Sequence, residues 1–323
     1  MKVGILGAGA FALALADVIS NNNHEVVLWS KLKEEIESIN ETHISDKLPN
    51  YKIPKNFIFT NDLKEATNNI DLLVIALPIA FIDSTCYELS KLNIDVPICI
   101  ASKGIEQEHF LFASDIVEKY FDKAKISVIS GPTFANDIIK KTPTGVTLAA
   151  TNKEVISIIK NTFENDYFKI RKSNDIIGVE VCGSIKNILA ITAGILFGMD
   201  MPSSTIAMFL TESIHDIENL LTALNCNPKT ALSYAGIGDL ILTCTSVESR
   251  NFTLGTMIGS KKSKLKINNY INNTTIEGLY SLKSLKKLLN NKKINMPIIN
   301  ITYEIIYKNK DLNSLITFLI DKM

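Results

Sequence analysis

VGILGAGAFA, residues 3–12, begins with a short run of β-favouring residues and leads directly into an apolar, helix-favouring segment, Phe11–Ile19. A strand, a G-x-G-x-x-A turn and a helix in this order are typical of a dinucleotide-binding domain. Gly7 permits the tight turn, Gly9 lets the backbone approach a pyrophosphate, and Ala12 stands where the helix packs on the strand. The free N–H groups at the start of the helix would then bind the diphosphate.

The same strand-and-helix pattern continues through the first half of the chain. Further strands are predicted at Glu25–Trp29, Phe57–Thr60, Ile70–Ala76, Pro97–Ser102, Ile126–Ser130 and Gly145–Ala150, and helices at Lys31–Asn40, Ile82–Ser90 and Leu111–Phe121. Such alternation makes a parallel sheet covered by helices on both faces. From about Asp175 the pattern changes to long amphipathic helices. We therefore predict an α/β fold, with a Rossmann-like N-terminal domain and mostly parallel sheet over residues 1–182, followed by an all-α C-terminal substrate domain over residues 183–323.

Length and charge narrow the class of protein. A chain of 323 residues exceeds what one hydrophobic core usually organises, which favours two domains. With 34 basic and 34 acidic residues the formal net charge is zero, which argues against a nucleic-acid partner or a polybasic membrane surface. The most apolar runs, near Leu72–Ile82 and Ile188–Phe197, are too short or interrupted to predict an integral membrane segment.

The cysteines and the N-terminus predict a cytoplasmic protein. The five cysteines are odd in number and have no paired spacing, so they predict neither a disulfide framework nor a zinc site. The histidines are equally isolated, and we expect no bound metal. Only Met1-Lys2 precedes the first strand, so no signal peptide is expected.

Arginine is rare in this chain. Only Arg171 and Arg250 are arginines among 34 basic residues, so a generic positive charge is supplied by lysine. An arginine retained in such a composition indicates a need for a planar, two-pronged donor to a phosphate or carboxylate. Arg250 follows the apolar run Ile237–Leu242 in a polar stretch, which favours ligand binding over a structural salt bridge. For Arg171 the salt bridge is the better interpretation.

The end of the second predicted strand bears on the choice of cofactor. An NAD-specific site usually has Asp or Glu there to bind the ribose 2′-hydroxyl. Here the sequence reads Trp29-Ser30-Lys31, without an acid. A hydroxyl and an ammonium would accept a 2′-phosphate, so we predict that NADPH is used at least as well as NADH. The alternative is that Lys31 merely begins a solvated helix.

Two strand ends carry further candidate residues. Lys103 follows the strand Pro97–Ser102, at the sheet edge where open α/β folds bind ligands. Gly131 and Thr133 follow the strand Ile126–Ser130 in the same way, offering exposed backbone and a hydroxyl. An ordinary loop turn explains Gly131-Pro132 equally well.

The predicted helical domain contributes a lysine and an acid. Helical spacing places Lys186 on a face with Gly183, Ala190 and Ala193, which leaves room for a ligand. Partial burial would lower the pKa of its ammonium towards the range useful for proton transfer, although a lysine that extends to solvent is the alternative. Asp239, between apolar residues, is either a helix N-cap or the partner of a buried cation.

These residues belong to seven motifs that resemble the bacterial type of NAD(P)-dependent glycerol-3-phosphate dehydrogenase nearly end to end. The motifs are GAGAFALALA, VVLWSK, ASKGIE, SGPTFA, GVEVCGSIKNILAI, AGIGDLILTCTSVESRN and TIEGL, in the family's order and spacing. The resemblance implies the reversible reaction between dihydroxyacetone phosphate and sn-glycerol 3-phosphate, which supplies phospholipid synthesis. It also implies a cofactor domain, a helical substrate domain and a homodimer.

The resemblance also assigns roles to individual positions. Lys186 matches the proton donor and acceptor, supported by Asp239 and Lys103 as the other catalytic residues. The substrate contacts that it implies are Lys103, Gly131, Thr133, Lys186, Asp239, Ser249, Arg250 and Asn251. The cofactor contacts are Ala10, Phe11, Lys31, Lys103, Ala135, Arg250, Thr275 and Glu277, in addition to Gly7, Gly9 and Ser30 from the motif and strand-end arguments above.

Some positions depart from the family pattern. Ala10 and Ala12 replace a usual Ser or Thr and a usual Gly, and residues 202–206 and 211–213 lack the polar and basic groups that the family carries there. Two alternative functions remain, the second of which these departures suggest. One is a related β-hydroxyacid dehydrogenase, and the other is a catalytically silent dinucleotide-binding sensor or structural subunit.

Overall fold

The sheet of the N-terminal half has the strand order of a dinucleotide-binding fold. A computed structural model describes residues 1–321. In this part of the chain eight strands form one sheet: β1 (Lys2–Leu6), β2 (Glu25–Trp29), β3 (Ile58–Thr60), β4 (Leu72–Ile75), β5 (Ile98–Ile100), β6 (Ile126–Ser130), β7 (Thr144–Ala150) and β8 (Phe168–Ser173). Their order is β3-β2-β1-β4-β5-β6-β7-β8. All neighbours pair in parallel except β6 with β7. The order reverses direction between β1 and β4, the position at which such sheets bind ligands.

Helices connect the strands, and α-helices predominate in the described residues after β8. The first group is α1 (Ala10–Asn21), α2 (Lys33–Thr42), α3 (Leu63–Ala66), α4 (Ile82–Ser90), α5 (Ala113–Glu118), α6 (Ala135–Ile139) and α7 (Lys153–Phe163). The second group is α8 (Ile176–Gly198), α9 (Ser203–Ala223), α10 (Asp239–Thr245), α11 (Arg250–Gly259), α12 (Lys264–Asn273), α13 (Glu277–Lys292), α14 (Pro297–Lys308) and α15 (Asn313–Asp321). The predicted fold class, a mostly parallel α/β domain followed by helices, is therefore confirmed.

The chain divides into two compact units, which we call unit 1 and unit 2. Unit 1 contains residues 1–103 and 113–176, with the whole sheet, and unit 2 contains residues 104–112 and 177–323. The segment 104–112 thus belongs with the helices, although it lies in the first third of the sequence. One of its links is a hydrogen bond from the Gly104 N–H to Ser184 Oγ, 3.2 Å long. The domain division at residues 182 and 183 lies inside α8.

Strand β8 was not among the strands predicted from the sequence. Its burial alternates along Phe168, Lys169 and Ile170, with the phenylalanine and isoleucine buried and the lysine exposed. Charged residues on one face lower the apparent β signal of an edge strand, where one side of the ladder is unpaired. Pairing with β7 along its whole length stabilises it nevertheless.

The long helix α8 is the core helix of unit 2. At 23 residues it is longer than the apolar run Ile188–Phe197, from which no integral membrane segment was predicted. By length and composition α8 could cross a membrane, but 94% of its most apolar 18-residue window is buried inside the fold. Burial of this extent is what the central helix of a packed domain requires, and it explains the apolar composition without a membrane.

Helix α8 crosses α11 at unusually short distance because both carry a G-x-x-x-G pattern. A Cβ added to Gly194 would lie 2.1 Å from the Phe252 carbonyl oxygen, and one added to Gly255 would lie 2.0 Å from the Ile191 carbonyl oxygen. Cβ atoms are not tolerated at such distances, so the two backbones approach each other only because glycine is present on both helices. This crossing fixes the relative position of the polar side chains that α8 and α11 carry.

Candidate active site

The turn between β1 and α1 in unit 1 has the geometry that a bound pyrophosphate requires. Gly7 has a φ of +126°, and a Cβ there would lie 2.6 Å from the Ala76 carbonyl oxygen, so only glycine fits. A Cβ on Gly9, by contrast, would meet no atom within 4 Å. Gly9 is the N-cap of α1, and its lack of a side chain leaves the first N–H groups of the helix, at Ala10 and Phe11, open to an anion.

A carboxylate of α2 lies at the end of β2, where the sequence predicted no acid. Ser30 Oγ donates a 2.7 Å hydrogen bond to Glu35 Oε2, and Lys47 Nζ lies 2.5 Å from Glu35 Oε1. Glu35 belongs to α2 and reaches back to the strand end. Lys31 is exposed. An acid is therefore present at the end of β2, although residues 29–31 include none.

The ends of β5 and β6 present the other candidate residues of unit 1. Lys103 follows β5 and is half-buried. Gly131 follows β6 and packs closely against β7. A Cβ at this position would lie 2.6 Å from the Gly145 carbonyl oxygen. Thr133 Oγ1 donates to the Gly131 carbonyl over 3.1 Å, and Ala135 begins α6. The close packing, rather than exposure of its backbone, accounts for glycine at position 131.

In unit 2, a buried lysine is held by two partners. Lys186 Nζ lies 2.6 Å from Asp239 Oδ1 and donates a 2.9 Å hydrogen bond to Thr243 Oγ1. Thr243 Oγ1 in turn donates to Asp239 Oδ1 over 3.2 Å. Lys186 is 8% exposed and Asp239 is fully buried. Asp239 and Thr243 are four residues apart on α10, which places both on one face of the helix towards α8.

The neighbouring residue, Asn187, belongs to a closed hydrogen-bonded ring. Asn187 Nδ2 donates to Glu277 Oε2 over 2.9 Å, and Asn251 Nδ2 donates to Asn187 Oδ1 over 3.1 Å. The Gly278 N–H closes the ring by donating to Asn251 Oδ1 over 2.9 Å. A Cβ on Gly278 would lie 2.5 Å from the Asn187 carbonyl oxygen. The ring therefore joins α8, α11 and α13 at one point and needs glycine there.

The start of α11 contains the remaining candidates. Ser249 is buried and its hydroxyl caps the helix by accepting a 3.3 Å hydrogen bond from the Phe252 N–H. Arg250 is the first residue of α11 and is exposed; within residues 1–321 its guanidinium forms no ion pair at 4.0 Å or less. Thr275, two residues before α13, is exposed as well.

Three residues of these clusters were not assigned roles from the sequence: Thr243, Asn187 and Glu35. Thr243 could have been found from its i+4 spacing to Asp239 on a helix. Asn187 stands beside Lys186 in the quoted motif, but nothing in the sequence indicates that it contacts residues 64 and 90 positions away. Glu35 has no signal, because its approach to Ser30 depends on how α2 folds back after β2.

One cluster of possible metal ligands occurs in the described residues, at Glu106, Glu108 and His109. Glu106 instead accepts hydrogen bonds from the N–H groups of Glu108 and His109, both 2.7 Å long. Burial alone would raise the pKa of Glu106, but these backbone hydrogen bonds and the nearby His109 hold its pKa below the usual value. A turn stabilised by its own carboxylate explains the cluster.

Comparison with known proteins identifies the family. Residues 2–156 match the profile described as NAD-dependent glycerol-3-phosphate dehydrogenase N-terminus, and residues 175–317 match the corresponding C-terminus profile. The chain belongs to this family. Together the two matches cover the β1–α1 turn of unit 1 and the Lys186 cluster of unit 2.

Individual members of the family agree over nearly the full length. The glycerol-3-phosphate dehydrogenase [NAD(P)+] of Staphylococcus aureus is 34% identical, covering 95% of this chain and 94% of its own. The enzyme of the same name from Oceanobacillus iheyensis is 35% identical over 96% of this chain and 91% of its own. The crystal structure of glycerol-3-phosphate dehydrogenase from Coxiella burnetii superposes with a TM-score of 0.92 at 29% identity, covering 99% and 98% of the two chains.

Proposed function

We propose that the protein is an NAD(P)-dependent glycerol-3-phosphate dehydrogenase that interconverts dihydroxyacetone phosphate and sn-glycerol 3-phosphate. The observation that carries this proposal is the buried Lys186–Asp239–Thr243 cluster in a member of this family. A lysine so placed can deliver and take up a proton, which a carbonyl reduction requires at its oxygen atom. Membership of this enzyme family also argues against a catalytically silent subunit.

The residues of unit 1 fit a nicotinamide dinucleotide. The left-handed backbone at Gly7, the open space beside Gly9 and the start of α1 together provide the turn and N–H groups that a pyrophosphate needs. Ala10 and Phe11 would contact it there, with Ser30 and Lys31 towards the adenosine end. Lys103, Ala135, Arg250, Thr275 and Glu277 are proposed contacts on the basis of the resemblance.

NADPH is proposed to be used at least as well as NADH. The ammonium groups of Lys31 and Lys47 lie on the segment that follows β2, where a 2′-phosphate would require positive charge. The negative charge of Glu35 opposes binding of the 2′-phosphate, so the balance of these charges sets the preference for NADPH over NADH. The ratio of kcat/KM for the two cofactors measures this balance.

The proposed proton transfer depends on residues of unit 2. When bound, the reduced nicotinamide supplies a hydride to the ketone carbon. Lys186 donates a proton from its ammonium to the oxygen as negative charge develops there, and takes it back in the reverse reaction. Asp239 holds the ammonium in position by a 2.6 Å contact, and Thr243 hydrogen bonds to both. General acid assistance of this kind typically accelerates a reaction by about 10²–10⁴-fold. Proton and hydride are both accounted for, so the proposed reaction requires no metal.

The phosphate of the substrate is proposed to bind at the start of α11. Arg250 would offer its guanidinium as a two-pronged donor, while Asn251 and Ser249 lie beside it at the helix N-terminus. Lys103, Gly131 and Thr133 are further proposed substrate contacts, with Lys103 adding positive charge. An exposed arginine without an ion pair in residues 1–321 is consistent with this role.

The cellular setting is also a proposal. No disulfide joins any of the five cysteines within residues 1–321, and four of them are buried, which is typical of a protein in the reducing cytoplasm. We propose that the enzyme supplies glycerol 3-phosphate to phospholipid synthesis there and functions as a homodimer. We also keep the proposed division into a cofactor domain, residues 1–182, and a substrate domain, residues 183–323.

A spectrophotometric assay tests the proposed function. Oxidation of NADPH at 340 nm is followed after dihydroxyacetone phosphate is added to the purified protein, and sn-glycerol 3-phosphate is identified as the product. The matched comparison uses β-keto acids without a phosphate, and inorganic phosphate as an inhibitor. Turnover of the keto acids, with no inhibition by phosphate, would instead favour a β-hydroxyacid dehydrogenase. Absence of turnover with every substrate would overturn the enzymatic role.

A further inference from the structure

Glu35 is a residue of unit 1 whose contacts were not predicted from the sequence. One carboxylate oxygen accepts the 2.7 Å hydrogen bond from Ser30 Oγ, and the other lies 2.5 Å from Lys47 Nζ. Only 14% of the Glu35 side chain is exposed. The Leu32 N–H donates to the same serine oxygen over 3.3 Å. The serine hydroxyl has a single proton, and that proton is directed at Glu35.

The position of this cluster in the sheet relates it to the cofactor. Ser30 directly follows β2, and its N–H donates a 3.2 Å hydrogen bond to the Thr60 carbonyl of the neighbouring strand. Strand β2 lies next to β1, whose end forms the Gly7–Gly9 turn. In dinucleotide-binding folds the end of the second strand faces the adenosine ribose, where NADH has a 2′-hydroxyl and NADPH has a 2′-phosphate.

We propose that Glu35 is a specificity-determining residue that limits the affinity for NADPH relative to NADH, with Lys47 setting how strongly it does so. This inference rests on the proposed role of unit 1 in binding NAD(P). In dinucleotide-binding folds the acid that binds the adenosine ribose usually follows the second strand directly. The Glu35 carboxylate instead comes from α2 and is held at the end of β2 by the hydrogen bond from Ser30.

The charges explain the direction of the effect. The Glu35 carboxylate repels a 2′-phosphate, and Ser30 offers that phosphate no hydrogen because its proton is used by Glu35. A 2′-hydroxyl, by contrast, can donate a hydrogen bond to the carboxylate. Lys47 neutralises part of the negative charge, and the exposed Lys31 attracts the phosphate, so both lysines oppose Glu35.

Binding of nucleotide fragments tests the inference without catalysis. Calorimetry measures the affinity of the wild type and of Glu35→Gln for 2′,5′-ADP, which carries the 2′-phosphate, and for 5′-AMP, which does not. The glutamine keeps an oxygen that can accept from Ser30 but has no charge. We expect the affinity for 2′,5′-ADP to rise at least about fivefold, since removal of one like charge relieves repulsion, while that for 5′-AMP changes less than about twofold.

Two further variants make the test specific. Glu34→Gln removes the same charge from the same turn of α2, but Glu34 is exposed, so the affinity ratio should stay at the wild-type value. Lys47→Gln should lower the affinity for 2′,5′-ADP, because Glu35 then acts without its counter-charge. Full-length NADPH and NADH should show the same order in a fluorescence titration.

The possible failures can be told apart. If both fragments bind but Glu35→Gln leaves their ratio unchanged, or changes it no more than Glu34→Gln does, the specificity role of Glu35 is wrong and the proposed function stands. If the folded wild type binds neither fragment nor either full-length cofactor, the proposed cofactor role of unit 1 fails, and this inference fails with it.

Discussion

Lys186 and Asp239 form a buried ion pair, so removal of the lysine affects both catalysis and stability. Asp239 is fully buried, so loss of the lysine leaves an uncompensated carboxylate in the core. Lys186→Met should therefore lower kcat at least about 10²-fold and also lower the free energy of unfolding by about 3–5 kcal/mol. The measurements are steady-state kinetics and urea denaturation.

A second variant separates the two effects. Lys186→Met combined with Asp239→Asn removes the uncompensated charge, so much of the stability should return while kcat stays low. If the double variant recovers activity together with stability, the low kcat of the single variant comes from damage to the fold, and Lys186 is not the proton donor.

Arg250 provides a second test on a single side chain. Arg250→Lys replaces a two-pronged donor by a point charge, so we expect a higher KM for dihydroxyacetone phosphate, about tenfold or more, with a smaller change in the KM for the cofactor. The other arginine of the chain supplies the control: Arg171→Lys in β8 should leave both KM values unchanged. Equal KM values for Arg250→Lys and the wild type would rule out a phosphate contact.

At the level of helices, the crossing of α8 and α11 depends on glycine. A Gly→Ala change inside a helix ordinarily stabilises it by about 1 kcal/mol. At Gly194 the added methyl would lie 2.1 Å from the Phe252 carbonyl oxygen, so the helices must separate. Gly194→Ala should lower the free energy of unfolding by about 1–3 kcal/mol and raise the KM for the substrate, since the Asn187–Asn251 hydrogen bond spans the same crossing.

The strands and helices differed in how well the sequence predicted them. Strands β2 and β6 begin and end at the predicted residues because each is a continuous β-rich run between turn residues. Strand β8 escaped prediction because its exposed lysines and arginine obscure the pattern. The G-x-x-x-G patterns of α8 and α11 are visible in the sequence, but nothing in either helix indicates that they face each other.

For the molecule as a whole, cofactor binding should be visible as stability. A ligand that binds only the folded protein stabilises it by about 2.7 kcal/mol at a concentration 100 times its Kd. NADPH should therefore raise the melting temperature of the wild type. Gly9→Ala should lower the melting temperature of the free protein only slightly, because its Cβ meets no atom within 4 Å although alanine is a poorer N-cap than glycine. It should reduce the shift that NADPH produces.

The outcome for Gly9→Ala also serves as the control for Gly194→Ala, since both add one methyl group. A fall in the melting temperature of free Gly9→Ala as large as that of Gly194→Ala would contradict the open space beside Gly9. An undiminished NADPH shift would argue that the pyrophosphate does not approach the turn.

The amino-acid sequence was sufficient for the fold class, for the glycine turn at residues 7–12 and for proposing Lys186, Asp239 and Arg250 as site residues, because local periodicity, glycine spacing and motif order are all readable along the chain. The contacts between these residues and their partners were decided only by the packing of the folded chain. Lys186 and Asp239 are 53 positions apart, Asn187 and Glu277 are 90 apart, and Glu35 reaches Ser30 only because α2 folds back on β2. Contacts of this kind depend on how buried helices and strands fit against one another, and no local pattern encodes that fit.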